Sequence, residues 1–153
     1  MKRINHADTI ISTVESGAVG TRLTASWRRS VKKHGLDPAV VAAPRRFEQR
    51  DLEERRRRLG AFMNVATPKL DQLIQMVGQT GCCVLMTDHE GVVLDLRSTD
   101  GDAPIFDDWG LWYGADWSEA AEGTNGIGTC LVEERQVSIH RDEHFMARNT
   151  SMS

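Results

Sequence analysis

Three constellations in this 153-residue sequence contain residue types able to do chemistry: the segment Gly123-Thr124-Asn125-Gly126-Ile127-Gly128-Thr129, the cysteines Cys82, Cys83 and Cys130, and the histidines His140 and His144. The glycines let the backbone turn tightly and approach another group, while Thr124 and Asn125 offer helix-capping oxygens. A helix N-terminus prepared in this way suits an anion. The segment nevertheless misses both phosphate templates, because no Gly-Lys-Ser/Thr follows and the glycine intervals run in the reverse order of a dinucleotide fingerprint. Asp116, Glu119 and Glu122 would also repel a pyrophosphate. Close helix–sheet packing is the other use for such glycines. The cysteines lack CxxC or Cys/His zinc spacing, and their setting predicts free, buried, reduced thiols. His140 and His144 are four apart, a spacing that binds metal only on a helix, and His140 reads as strand; no metal is expected. His6, His34 and His89 fall at a terminus, a helix end and a turn, all positions that read as exposed.

Apolar residues make up 40% of the chain and charged residues 27%, the balance of a soluble protein with one domain and a flanking element. No apolar run approaches the roughly 18 residues of a membrane helix. The start, Met1-Lys2-Arg3-Ile4-Asn5-His6, lacks the apolar core of a signal peptide, so a cytoplasmic location is expected. Residues 1–58 carry 14 Lys and Arg against 7 Asp and Glu, and residues 59–153 carry 5 against 15. Much of the positive charge is Arg55-Arg56-Arg57-Arg58, directly after Asp51, Glu53 and Glu54. That arrangement reads as a helix face that pairs internally or meets the acidic half, rather than a nucleic-acid surface.

The elements that must position these residues follow from periodicity. Ile4, Ala7, Ile11 and Val14, then Val19, Leu23, Trp27 and Val31, mark the apolar faces of two helices. Lys32-Lys33-His34-Gly35 is a C-terminal signal for the second. A long helix from about Glu48 to Gln79 carries the stripe Leu52, Leu59, Phe62, Met63, Ala66, Leu70, Leu73, Ile74 and Val77, with a kink or restart expected at Pro68 and Thr67 as its cap. Cys82 to Thr87 and Val92 to Arg97 read as a β-hairpin joined by Asp88-His89-Glu90-Gly91. Trp109, Trp112, Tyr113 and Trp117 lie in a less regular stretch, before a helix over about Asn125 to Glu134 and a strand over Gln136 to His140. This order predicts an α+β domain with an antiparallel sheet.

Taken together, Ser26-Trp27-Arg28-Arg29-Ser30 ahead of Gly35-Leu36-Asp37-Pro38, Thr80-Gly81, Thr87 to Leu94, Trp117-Ser118-Glu119, Gly123 to Thr129 and Glu143-His144-Phe145 resemble the N-terminal sensory region of sigma-54-dependent activators of acetoin and glycerol catabolism. The resemblance implies a GAF-like antiparallel sheet, with its C-terminal strands missing from this chain, in a domain over 48–153 behind a helical N-terminal region over 1–47. In that family the chain continues into an AAA+ ATPase and a helix-turn-helix, so ATP hydrolysis and DNA binding do not carry over. What carries over is sensing of a small metabolite or a regulatory protein, with no cofactor and no catalysis, by a homodimer formed through the long helix. A pocket is expected between the glycine-rich helix, the sheet and the Trp-rich loop, with Trp112, Trp117, Thr124, Asn125 and Ile127 as walls and Cys82, Val84 and Met86 as floor. Two alternatives stand beside this reading. One is a GAF-type methionine sulfoxide reductase using Cys82, Cys83 and Cys130, which would need an accessible thiolate of lowered pKa that no neighbouring His or Lys supplies. The other is a helix-mediated dimerisation module with no ligand.

Overall fold

A computed structural model describes residues 5–17 and 20–152. The described chain divides into two compact units: one takes the residues up to Ala42 and those from Trp117 onward, the other Ala43–Asp116. Ile4 and Val19, assigned above to helix faces, lie outside the described residues.

In the first unit, α1 (His6–Glu15) is capped by Asn5, whose side chain accepts from the Asp8 amide at 2.8 Å. Its buried face is Ile10 and Val14, one turn apart, whereas Ile11 is only half-buried; the face is shifted by one residue from the sequence expectation. Helix α2 (Arg22–Arg28) is capped by Thr21 and runs on through a π-helical turn, Arg29–Lys33. Its end is closed near Gly35, whose φ of +65° and amide bond back to Val31 bear out the C-terminal signal. Trp27 joins Ile10, Val14, Phe145 and Met146 in one core cluster, and its indole Nε1 donates to the Glu143 carbonyl at 2.9 Å. This unit also contains α6 (Glu119–Glu122) and α7 (Gly128–Glu133).

The second unit corrects the single long helix. Helix α3 (Gln49–Leu59) and α4 (Ala61–Val77) are separated at Gly60, where φ is +47° and ψ −119°, and a short α5 (Ala103–Asp108) follows later in the same unit. Glycine takes this conformation without the Cβ strain of other residues, so the break falls there and not at Pro68. Pro68 is exposed inside α4, and Thr67 caps nothing: its hydroxyl donates to the Asp95 carboxylate at 3.3 Å. The expected hairpin forms, its strands starting two residues and one residue later than read: β1 (Val84–Thr87) is antiparallel to β2 (Val93–Arg97), in a register that pairs Leu85 with Leu96. Cys82 and Cys83 fall before β1, the first exposed and the second half-buried, and Cys130 is half-buried in α7; the expectation of buried thiols is corrected.

On the other edge of β2 lies residues 114–116, held by Gly114 N–H to Val93 at 2.8 Å and Val93 N–H to Ala115 at 3.0 Å, and Arg46 bridges to Ala115 in turn. The expected strand at Gln136–His140 does not form, and among the described residues the sheet proper has two strands. Residues 136–140 alternate in burial like a strand but have no ladder partner among the described residues, so a period of two alone does not make one. The arginine run divides by helix face. Arg55 contacts Asp88 and Glu90 at 2.6 Å, Arg56 donates to the Leu94 carbonyl, and Arg57 and Arg58 pair with Glu54.

Candidate functional site

The glycine-rich segment builds a tight cap within the first unit. Asn125, 1% exposed, accepts from the Ile127 and Gly128 amides, each at 2.9 Å, and donates from Nδ2 to the Trp117 and Gly123 carbonyls at 3.1 and 2.8 Å. All four bonds of one amide are made inside the loop, so the side chain serves as a scaffold. The helix it leads into starts at Gly128, three residues later than the periodicity suggests, because Asn125 folds as a turn over the intervening residues. A Cβ on Gly128 would lie 2.2 Å from the Glu119 amide nitrogen, and one on Gly123, at φ +67°, 2.4 Å from the Phe145 ring. These two glycines are explained by close approach, whereas Gly126 faces open space.

What that approach brings together is a buried carboxylate network. Glu119 is 1% exposed; its two oxygens receive Arg29 Nε at 2.7 Å and Nη2 at 3.0 Å, Ser26 Oγ at 2.7 Å and Thr129 Oγ1 at 2.9 Å. Burial pushes the Glu119 carboxyl up, but the hydrogen bonds from Arg29, Ser26 and Thr129 outweigh it and hold it below the usual carboxylate range. Hydrogen bonding to Glu119 in turn raises the Arg29 guanidinium above its ordinary value. Since the single Ser26 proton goes to Glu119, the 2.6 Å contact between Ser26 and Thr124 has Thr124 as donor. The Ser26 and Thr129 hydroxyls thus both donate to Glu119 Oε2, and the Thr124 hydroxyl donates to Ser26 Oγ behind them. The arrangement holds a buried, ionised carboxylate, and α2 with the turn after it is latched to α6 and α7 by it.

Beside the network lies a pocket of about 370 Å³ with Thr124 and Thr129 at its base, Arg22, Glu133 and Arg135 at its rim, and Val137 and Ile139 along one wall. Glu133 takes Arg29 at 3.3 Å and Arg135 at 3.1 Å. In the second unit a pocket of about 510 Å³ is lined by Trp112 and Tyr113. The eight expected site residues are thus distributed: Trp117, Thr124, Asn125 and Ile127 fall in the first unit, and Trp112, Cys82, Val84 and Met86 in the second. Trp117 is fully buried, 1% exposed, while Val84 and Met86 are half-buried on β1.

Cys82, His6 and His144 have structural partners, and Cys83 is shifted away from reactivity. Burial pushes the Cys83 thiol up to about 11, opposite to the shift a nucleophile needs. Cys82 sits 3.2 Å from the Thr80 hydroxyl. His144 turns into the core, 4% exposed, with Nδ1 donating to the Arg141 carbonyl at 3.0 Å; burial lowers its pKa. His6, which is half-buried and not exposed as expected, donates from Nε2 to the His144 carbonyl at 2.8 Å.

Ser26, Arg29, Glu119 and Thr129 were not among the expected site residues. Their signal was present in part: Ser26, Arg29 and Ser30 recur at three and four along a helix whose apolar face is Leu23, Trp27 and Val31, a polar stripe that no surface role requires. Ser26 and Ser30 are both fully buried, and Ser30 donates back to the Ser26 carbonyl.

The comparisons agree with these motifs. The family model described as MimR, N-terminal domain, matches residues 3–152. The acetoin catabolism regulatory protein of Cupriavidus necator is 34% identical over 84% of the chain and 19% of its own length. The acetoin dehydrogenase operon transcriptional activator AcoR of Bacillus subtilis is 32% identical over 81% of the chain and 20% of its own. The propane 2-monooxygenase operon transcriptional activator MimR of Mycolicibacterium smegmatis is 30% identical over 94% and 25%. The chain therefore spans a fifth to a quarter of these relatives, the first named as a regulatory protein and the other two as transcriptional activators. A crystal structure of the E. coli DhaR(N)-DhaL complex has the same fold over 82% of this chain and 42% of the other, with a TM-score of 0.74 at 17% identity.

Proposed function

The chain belongs to the MimR N-terminal domain family, and from that premise we propose that it is a cytoplasmic, GAF-like sensing region of a transcriptional activator of the acetoin and glycerol type. It binds a small metabolite or a regulatory protein and controls ATPase and DNA-binding modules outside this sequence, without catalysis or a cofactor of its own. In this reading residues 1–47 are the helical lead-in and 48–153 the sensory domain. The observation that carries it is the buried Arg29–Glu119 network, which ties α2 to the glycine-rich cap. A ligand or partner that displaces one member changes how α2 is held, and by that route the network reports occupancy. Of the expected residues, Thr124 and Trp112 line pockets and are the ligand-facing members, whereas Asn125 and Trp117 hold the cap. The partner-protein arm is supported by the structural neighbour, solved as a complex with a second protein. Thermal unfolding with acetoin, glycerol, acetone and 2-propanol tests the metabolite arm. A saturable rise in midpoint with one of them is expected, since a ligand at a hundred times its Kd stabilises by about 2.7 kcal/mol. No rise with any removes that arm.

One further observation favours a homodimer through the long-helix region. Along α4, Phe62, Val65, Leu73 and Met76 are 59, 64, 44 and 79% exposed and lie within one third of the helix circumference. A two-fold axis at Lys69 sets Phe62 against Met76 of a second copy and Val65 against Leu73, with the exposed Lys69 of each copy meeting at the axis as the one charged position within the stripe. Sedimentation should show a dimer that Val65→Glu with Met76→Glu converts to monomer. A monomer at all concentrations in the unaltered chain excludes it.

A further inference from the structure

We infer that the pocket of the second unit takes a small, uncharged and largely apolar molecule, held against the indole of Trp112. The inference adds a ligand class to the sensing role and rests on that reading only for its biological use. The pocket, about 510 Å³, is within the size range of small-molecule sites. Its walls are aromatic and aliphatic: Phe106 and Leu111 are buried behind it, and Trp112, Tyr113 and Leu96 face it.

The polar atoms of those walls are already engaged. Trp112 Nε1 donates to the Asp107 carbonyl at 2.8 Å, and the Tyr113 hydroxyl donates to the Leu96 carbonyl at 3.1 Å. Arg46 Nε donates to the Tyr113 carbonyl at 3.1 Å, which sets its guanidinium 5.7 Å from the Trp112 ring centroid. Neither aromatic N–H nor O–H is left to recognise a polar ligand, so ring faces and hydrocarbon make up most of the inner wall, with the half-buried Ser98 hydroxyl as the uncharged polar group beside them. The rim sets the charge preference. Asp100 and Asp107, both exposed, repel anions; a cation drawn to those carboxylates is kept off the indole face by Arg46, which already holds the cation position there. A neutral molecule pays neither cost.

The test is fluorescence titration of the chain with the neutral probe N-phenyl-1-naphthylamine, beside the anionic probe 1-anilinonaphthalene-8-sulfonate. Saturable binding of the neutral probe at one site per chain is expected, unchanged between low salt and 0.5 M salt. Filling the pocket from its exposed lip with Ala103→Trp should weaken binding at least tenfold. Ser98→Phe provides a second obstruction if that variant melts early, and Val65→Glu with Met76→Glu on α4 should leave binding intact. Trp112→Phe should reduce energy transfer from tryptophan to the bound probe. The inference is overturned by absence of saturable binding, by binding lost in the α4 variant and kept in both obstructed ones, or by preference for the charged probe. Such a failure leaves the regulatory role standing on a partner protein, whereas probe binding with no effect of the chain on promoter output would remove the role and keep the ligand class.

Discussion

Removal of the Arg29 guanidinium is the sharpest test of how the site is held. In Arg29→Ala the Glu119 carboxylate, 1% exposed, keeps the Ser26 and Thr129 hydroxyls but loses its two charged donors at 2.7 and 3.0 Å. Breaking a buried pair by deleting one partner costs about 3–5 kcal/mol. The Arg29 side chain is itself 26% exposed, so water reaches part of the vacated space and the lower end, about 3 kcal/mol, applies. For a chain of this size that is about 6–12 °C in melting midpoint. The pH dependence identifies the cause. In the wild type the Glu119 pKa is lowered on folding, so the network stabilises above the unfolded pKa near 4.3 and that contribution is lost as pH falls through the folded value. In the variant burial acts without the guanidinium and drives the carboxyl up, so the neutral acid is tolerated and the deficit shrinks between about pH 7 and pH 4. Urea titrations of both proteins across that range measure it, with Arg29→Ala combined with Glu119→Gln recovering at least half the loss. A variant within about 0.5 kcal/mol of wild type at pH 7, or a deficit that does not narrow in acid, refutes the reasoning.

Other expectations follow from single contacts. Gly128→Ala places a methyl 2.2 Å from the Glu119 backbone nitrogen and should cost about 3 kcal/mol or more by urea denaturation, whereas Gly126→Ala, facing open space, should stay within about 0.5 kcal/mol. His144 is buried and its pKa is lowered, so the unfolded chain binds more protons and stability should fall as pH drops below about 6.5; His144→Asn should flatten that part of a stability–pH curve. Cys83, pushed up to about 11, should react with iodoacetamide at pH 7.5 on the order of a hundredfold more slowly than an ordinary thiol, read by peptide mass mapping.

Local features were legible in the sequence wherever one short-range rule governed them. The hairpin followed from two apolar runs around a turn whose Asp88 carboxylate accepts the Glu90 and Val92 amides, and Asn125 was recognised as a capping residue. Pro68 misled because its lost hydrogen bond falls on the exposed side of α4, where the packed side at Leu70 keeps the helix continuous; the left-handed Gly60 was the real break. Gln136 to His140 misled because alternation specifies a face, and a strand also needs a neighbour. The Ser26, Arg29 and Glu119 cluster was hidden for a different reason. Its members are about ninety residues apart, and the carboxylate that joins them reads in sequence as ordinary surface charge near a glycine turn.

The regulatory role is tested most directly by promoter output. The chain, fused in place of the matching N-terminal region of the Cupriavidus necator relative, is compared in a reporter strain with that activator lacking the region and with a fusion carrying Arg29→Ala. The account predicts that the wild-type chain changes output relative to the truncated activator and that Arg29→Ala shifts it again. Identical output from all three, with the native activator active in the same strain, would contradict it.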